Sequence, residues 1–369
     1  MTVTTLTTPV PMNDLGRGIA RDRRDIERVF NEVLTSGYLI LGSQHAAFEN
    51  ELATYLGVAN VLGVASGTDA LEIAIKAVMP LGQDVVITAA NAGGYTTTAA
   101  RRAGYRVRYA DVDPDSLCLS LDSLTSQITS DVGVVVVTHL YGNLTDVTEL
   151  VSWCHSRGIT VVEDCAQAIG ARLGERSAGS FGDIAATSFY PTKNLGALGD
   201  GGAIFTTSDE LAARAKELRQ YGWTSKYRVG RAGGANSRLD ELQAAFLRVR
   251  LPLLDALNGR RRLIVAAYVD AAQGRPLQVL PAVGQHHVAH LAVALSDRRD
   301  EVRSFLEARG VQTDVHFPVP DHWQPGFSAD AQSLPVTERL AAETLSLPCF
   351  PEMTDEEIGA VCAAIVDLE

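Results

Sequence analysis

Lysine is scarce in this chain. Its 369 residues hold 32 Lys plus Arg, yet only Lys76, Lys193, Lys216 and Lys226 are lysines. A GC-rich coding sequence would favour arginine in general, so each remaining lysine stands out. Cysteine is sparse as well. Cys118, Cys154, Cys165, Cys349 and Cys362 are odd in number, scattered and without a C-x-x-C pair. That excludes a disulfide framework and a cysteine zinc site, and it fits a reducing compartment. Positive charge is in deficit: 44 Asp plus Glu leave a net charge of −12. A protein that neutralises nucleic-acid phosphates needs the opposite balance. No apolar run reaches the roughly 18 residues of a membrane span, and Val132–Val137 is long enough only for a buried strand. Met1 to Pro11 lacks the basic and apolar segments of a signal peptide. The expectation is a soluble cytoplasmic protein with no nucleic-acid or membrane partner.

What is present is alternation. Val85–Thr88, Arg106–Asp111, Val134–Thr138, Thr160–Glu163 and Ile184–Ser188 read as strands. Between the first four, Thr96–Ala103, Asp122–Ile128 and Asp146–Arg157 read as helices. This pattern predicts an α/β fold with a mostly parallel sheet, whose ligands bind beyond the carboxyl ends of the strands. Upstream, Asp22–Leu34, His45–Leu56 and Thr68–Val78 are helical. Downstream, Asp209–Tyr221 is helical, and Ser237–Asp270 keeps helical periodicity with a kink expected at Pro252. Beyond Gly274, strands are expected at Val288–Leu295 and Gln312–His316, with helices at Asp297–Arg309, Val336–Ser346 and Thr354–Leu368. The chain thus divides into a large domain over residues 1–250 and a small α+β domain over residues 251–369.

Three constellations carry chemistry. Lys193 lies between a strand end, Ser188-Phe189-Tyr190-Pro191, and a glycine-rich turn ending in Gly199-Asp200-Gly201-Gly202. A lysine there suits Schiff-base chemistry, although a surface lysine in a hairpin would look the same. Glu163-Asp164 closes an apolar strand. One carboxylate of such a pair can face a cleft, or simply cap the next turn. Ala65-Ser66-Gly67-Thr68 opens a helix, whose N-terminal N–H groups attract anions, although plain N-caps are commoner. Together, a phosphate site, a carboxylate for a ring nitrogen and a lysine for an aldehyde fit one cofactor, pyridoxal 5′-phosphate. No metal site is expected.

These stretches resemble the motifs of the DegT/DnrJ/EryC1/StrS family of nucleotide-sugar aminotransferases. Ser188–Gly196 with Gly199–Gly202 resembles its lysine motif, Glu163–Ala168 its E-D-x-A-Q motif, and Ala65–Leu71 its phosphate motif. His139–Gly142, Asn236–Ala245 and His316–His322 match as well, so the likeness runs from about residue 14 to the end. The resemblance implies fold type I of the pyridoxal-phosphate enzymes, like aspartate aminotransferase, with a seven-stranded large-domain sheet. It implies a homodimer with shared active sites. Lys193 would bind the cofactor aldehyde and shuttle protons. Asp164 would pair with the pyridine nitrogen, and Gln167 with the phenolic oxygen. Gly67, Thr68 and Ser188 would hold the phosphate, and Asn236 would reach the partner's cofactor. Tyr190 and His316 would lie near the sugar. The chemistry implied is glutamate-dependent transamination, with pyridoxamine 5′-phosphate as the intermediate form. Members with His in place of the lysine are dehydratases, and Lys193 favours transamination.

Two departures stand out. The family's ring-stacking aromatic falls on Gly93 in ungapped register, which leaves Tyr95 as the replacement. The usual His-Tyr-Pro is His316-Phe317-Pro318, one hydroxyl fewer near the substrate. The Asn236–Ala245 and His316–His322 stretches look most like members that aminate C3 of dTDP-3-keto-6-deoxyhexoses for antibiotics or glycans. Amination at C4 of a dTDP-4-keto sugar is the close rival. A protein that only binds a phosphorylated ligand is the rival from another class. Lys226, Arg228 and Arg231 are candidates for the nucleotide diphosphate, which the −12 charge otherwise repels.

Overall fold

A computed structural model describes residues 9–330 and 332–369. The segment before Pro9 in the Thr-rich start lies outside the described residues. Seven strands form the main sheet: β1 (Asn60–Val64), β2 (Val85–Thr88), β3 (Arg106–Tyr109), β4 (Val132–Thr138), β5 (Thr160–Asp164), β6 (Ile184–Ser188) and β7 (Gly202–Thr206). Their order is β1-β7-β6-β5-β4-β2-β3. β7 runs antiparallel to both neighbours, and the remaining pairs are parallel. The sheet of the implied fold is therefore present.

Helices cover both faces, so the central strands are apolar at every position rather than at every second one. All seven residues of β4 are buried. Val135, Val137 and Val161 point into one apolar cluster, and Val134, Val136 and Val162 into the other. That two-residue period also decides the direction of each polar group at the strand ends.

After the helices α1 (Leu15–Ser36) and α2 (Ser43–Leu56), the helix α3 (Gly67–Val78) packs its apolar residues into the second cluster. Ser66 caps it, its Oγ accepting from the Asp69 N–H at 3.1 Å. Asp69 in the first turn and Lys76 in the last complement the helix dipole. Lys76 donates to Glu72 at 2.6 Å and to the Gly233 carbonyl at 3.0 Å, so it is a structural lysine.

The long helical stretch around Pro252 divides into Glu241–Arg250 and Leu254–Ala271, joined by a 3-10 turn at Leu251–Leu253. Pro252 has no N–H to continue the α ladder. Beyond it, the strands Gln278–Val279, Ala292–Leu295 and Thr344–Leu347 form an antiparallel sheet with its own apolar cluster. Three expectations fail here. Gln312–His316 is not a strand: Asp314 makes a single bridge to Ser346. The helix expected to reach Ser346 stops at Glu343. Thr344–Leu347 is extended and fully buried instead, because Pro348 disfavours helix at the residue before it. The strand expected from Val288 starts only at Ala292, since Ala289 turns left-handed with φ 47°.

Candidate active site

The carboxyl ends of β4, β5 and β6, with the start of α3, open into one cleft of about 490 Å³. Ser66, Gly67, Thr68, Asp164, Gln167, Ser188 and Lys193 all line it. Tyr95, Tyr190, His316 and Phe317 line it too, and so does His290, which the sequence reading missed.

The paired carboxylates of β5 separate by strand alternation. Glu163 is fully buried and accepts from the N–H groups of Gly179 at 2.8 Å, Phe181 at 2.6 Å and Gly182 at 2.6 Å. Its Oε2 also meets His139 Nε2 at 2.9 Å. Burial pushes this carboxyl up, but His139 and the N–H groups outweigh it and hold it below its ordinary value. His139, Glu163 and Cys165 come close enough to suggest a metal, yet these bonds already occupy both carboxylate oxygens. Asp164 takes the opposite direction. It lines the cleft and accepts from the Ala166 N–H at 3.0 Å. Burial outweighs that bond, the Lys193 and His139 charges and the Thr138 hydroxyl, and raises its carboxyl above the ordinary value.

Lys193 follows β6 in a tight turn in which its N–H donates to the Tyr190 carbonyl at 2.8 Å. Gly196 in that turn would bring a Cβ within 3.0 Å of the Pro191 carbonyl carbon. Burial lowers the Lys193 amine, and the nearby Asp164 charge only partly restores it. The neutral amine, the nucleophilic form, is therefore more accessible than in a solvated lysine.

At the other side, α3 approaches the end of β6 so closely that a Cβ on Gly67 would lie 2.6 Å from the Ser188 Cβ. The N–H groups of the first turn and the hydroxyls of Thr68 and Ser188 form a cup for an anion. Gln167 Oε1 accepts from the Tyr141 N–H at 2.6 Å, so its amide NH₂ is what remains to offer. An anion cup, a buried carboxylate, an amide donor and a lysine poised toward neutrality, all on one cleft, fit pyridoxal phosphate.

Some expected residues lie elsewhere. Asn236 lines an adjoining groove of about 560 Å³ with Ile40, sharing Ser66 and Asp200 with the cleft. Lys226 and Arg228 are exposed on the ribbon of Trp223–Ser225 and Arg228–Val229, outside the cleft of their own chain. Arg231 is held by Glu217 at 2.6 Å. None of these three candidate cations lines the cleft of its own chain. His290 had a weak signal: three of the eight histidines fall between His286 and His290. The strand expected there hid the turn that aims it.

The family model described as the DegT/DnrJ/EryC1/StrS aminotransferase family matches residues 20–366. The chain is 40% identical over 362 residues to dTDP-3-amino-3,4,6-trideoxy-alpha-D-glucose transaminase of Micromonospora megalomicea subsp. nigra, covering 94% of this chain and 96% of that one. It is 38% identical over 363 residues to UDP-N-acetyl-3-dehydro-alpha-D-glucosamine 3-aminotransferase of Acidithiobacillus ferrooxidans, covering 98% of each. Among solved structures, S. venezuelae DesV in complex with a ketimine intermediate superposes with a TM-score of 0.94 at 37% identity, covering 98% of each chain. No helix among the described residues is long and apolar enough to cross a membrane. On this fold, this cleft and these likenesses, the chain belongs to the DegT/DnrJ/EryC1/StrS aminotransferase family and depends on pyridoxal phosphate.

Proposed function

We propose that this nucleotide-sugar aminotransferase moves the amino group of glutamate onto C3 of a dTDP-linked 3-keto-6-deoxyhexose. The observation that carries the reading is the shared cleft of Lys193, Asp164 and the Gly67–Ser188 cup. Both relatives named above act at a C3 position by their names, and the first of them supports a dTDP sugar.

When bound, pyridoxal phosphate supplies an electron sink for the carbon that loses a proton. Gly67, Thr68 and Ser188 would hold its phosphate. Asp164 would pair with its ring nitrogen, a role suited to a buried carboxylate that lines the cleft. Gln167 donates from its amide NH₂, the orientation fixed by Tyr141. Lys193 would hold the cofactor at rest, and its Nζ is the group placed to take and return the proton. Tyr95, Tyr190 and His316 line the same cleft; Tyr95 would face the cofactor ring, and Tyr190 and His316 the sugar.

Two copies complete the site. Leu34, Tyr38, Leu39 and Ile40 are exposed apolar residues, and Ile40 borders the groove of Asn236. A second chain covering that patch would bring Asn236 toward the neighbouring cofactor, and with it the ribbon carrying Lys226 and Arg228 toward the nucleotide.

The test uses purified enzyme, glutamate and dTDP-3-keto-6-deoxyhexose, with the product read by NMR. Nitrogen on C3 is expected. Amination at C4, or of no sugar at all, overturns the reading. Lys193→Ala is expected to lose both the visible absorbance and turnover.

A further inference from the structure

His290 lies in the cleft beside Lys193, and the proposed function gives it no role. Its surroundings fix its protonation pattern. The side chain of Asn258 donates from Nδ2 to the Ile169 carbonyl at 3.3 Å. A backbone carbonyl only accepts, so Asn258 must turn its Oδ1 the other way. That Oδ1 accepts from Asn194 Nδ2 at 2.7 Å, and the same Nδ2 donates to the Val288 carbonyl at 3.0 Å. Asn194 is thereby oriented as well, and its Oδ1 faces His290 Nδ1 at 2.8 Å. Two carbonyl groups thus dictate the direction of the whole chain of bonds. The nitrogen that meets the Asn194 oxygen has to be the one carrying hydrogen.

We infer that His290 keeps its proton on Nδ1 and presents a bare Nε2 to the cleft as a fixed hydrogen-bond acceptor for the Lys193 amino group. Among the described residues, Nε2 has no hydrogen-bond partner, while Nδ1 is committed. Asn194, which pins the ring, is the residue directly after Lys193 in the chain, so ring and amine are placed by the same turn. A second proton on the ring is opposed first by burial, then by the charges of Lys193, Arg261 and His316. Arg261 itself donates to the His290 carbonyl at 3.2 Å. Lys193 has at most three N–H bonds to direct, and an acceptor in a fixed place restricts where its amine points once it is free of the cofactor. His290 is on this account a positioning residue for the proton shuttle, and the inference rests on the aminotransferase reading for its catalytic consequence only.

Two measurements decide it. The first uses cofactor-free enzyme labelled with ¹⁵N at histidine, with His290 assigned by comparison with His290→Gln. One N–H-type signal at Nδ1 and one bare-nitrogen signal at Nε2 are expected at neutral pH. A proton on Nε2, alone or with one on Nδ1, overturns the inference whether or not the enzyme aminates a sugar. The second compares His290→Leu with His290→Gln, whose amide oxygen can occupy the Nε2 position. Leucine removes the acceptor of an ammonium group, so kcat is expected to fall about 10- to 100-fold with KM for the sugar nearly unchanged. The pH midpoint of the visible absorbance is expected to move down by about one unit. Glutamine is expected to restore much of both. Equal kcat and equal midpoints in the two variants overturn the role, while a wild-type protein that stays colourless overturns only the functional reading.

Discussion

The Phe317 ring occupies the space that a side chain on residue 93 would need. A Cβ on Gly93 would lie 2.6 Å from Phe317 Cε1 and 3.2 Å from Tyr95 Cε2. Phe317 also stands edge-on to Tyr95 at 6.3 Å and stacks with Tyr141 at 6.5 Å. Position 93 is thus crowded from two directions, by Tyr95 along the same turn and by Phe317 from the far end of the chain. Gly93→Ala is expected to destabilise the protein by about 2–4 kcal/mol, from a left-handed φ of 78° plus the collision. In Gly93→Ala/Phe317→Ala the collision is gone and the φ term remains. Chemical denaturation of the double-mutant cycle should show a favourable coupling of about 1–2 kcal/mol. Strict additivity would mean that the ring gives way at no cost.

This contact explains where sequence reading succeeds and where it stops. Lys193, Asp164 and the Gly67 turn stand out locally because each follows a strand or opens a helix, whereas Gln167 enters only through the family resemblance; all four line one cleft. The parallel sheet was legible because continuous apolar runs alternate with amphipathic ones. Local pattern cannot show that Phe317 meets Gly93, or that Asn194 orients His290. Those pairings arise when separate segments pack. Strands β1 and β7 went unread for a related reason. Asn60–Val64 has an interior glycine at Gly63, and Gly202–Thr206 opens on a glycine straight after Gly199-Asp200-Gly201, which weakens the strand signal in both. Both are tolerated because another element lies against them: a Cβ on Gly202 would be 2.5 Å from Ser66 carbonyl carbon and oxygen.

The same close packing gives a prediction at the anion cup. Gly67→Ala places a methyl group 2.6 Å from the Ser188 Cβ, so the start of α3 must move away from β6. The N–H groups and the Ser188 hydroxyl then no longer converge. Cofactor affinity, followed by fluorescence titration of the cofactor-free enzyme, should fall about 10- to 100-fold. The Schiff-base chemistry of Lys193 should survive at saturating cofactor. An unchanged affinity would place the phosphate elsewhere.

Glu163 and Asp164 are neighbours in sequence with opposite expected consequences. Glu163→Gln keeps the shape but turns an NH₂ toward backbone N–H donors, and should cost about 2–4 kcal/mol of stability. Because the folded carboxyl is held below its ordinary value of 4.5, its contribution is complete above that pH. It disappears as pH falls through the lower, folded value. Asp164→Asn removes a carboxylate whose ionisation burial opposes, so the fold should be unharmed or slightly more stable. Its turnover should fall by about 10²–10⁴. Melting temperature and kcat measured on both variants separate the two roles, and a catalytic loss confined to Glu163→Gln would reverse them.

Asp321 supplies a pH prediction with a defined sign. It is buried against the first turn of α4 (Tyr95–Arg102), where the Thr97 hydroxyl donates to its Oδ2 and its own N–H donates to the Ala90 carbonyl at 2.8 Å. Burial raises its carboxyl from 3.8 to about 6, against the opposing pull of Thr97 and the Gly94 N–H. Between those two values the folded protein holds a proton that the unfolded chain has released. Stability therefore falls as pH rises from about 4 to 6, and above 6 the penalty is constant. At 1.36 kcal/mol per pK unit its upper bound is about 3 kcal/mol. Asp321→Asn removes the penalty while keeping the shape, and its NH₂ can donate to Thr97, which can pass its own proton to the Tyr109 oxygen 3.2 Å away. The variant should melt above the wild type at pH 7.5, and the gap should close toward pH 4. A variant that melts below the wild type by the same margin across this range would show that the ionised carboxylate is favourable where it stands, as a cap on α4 from outside the helix.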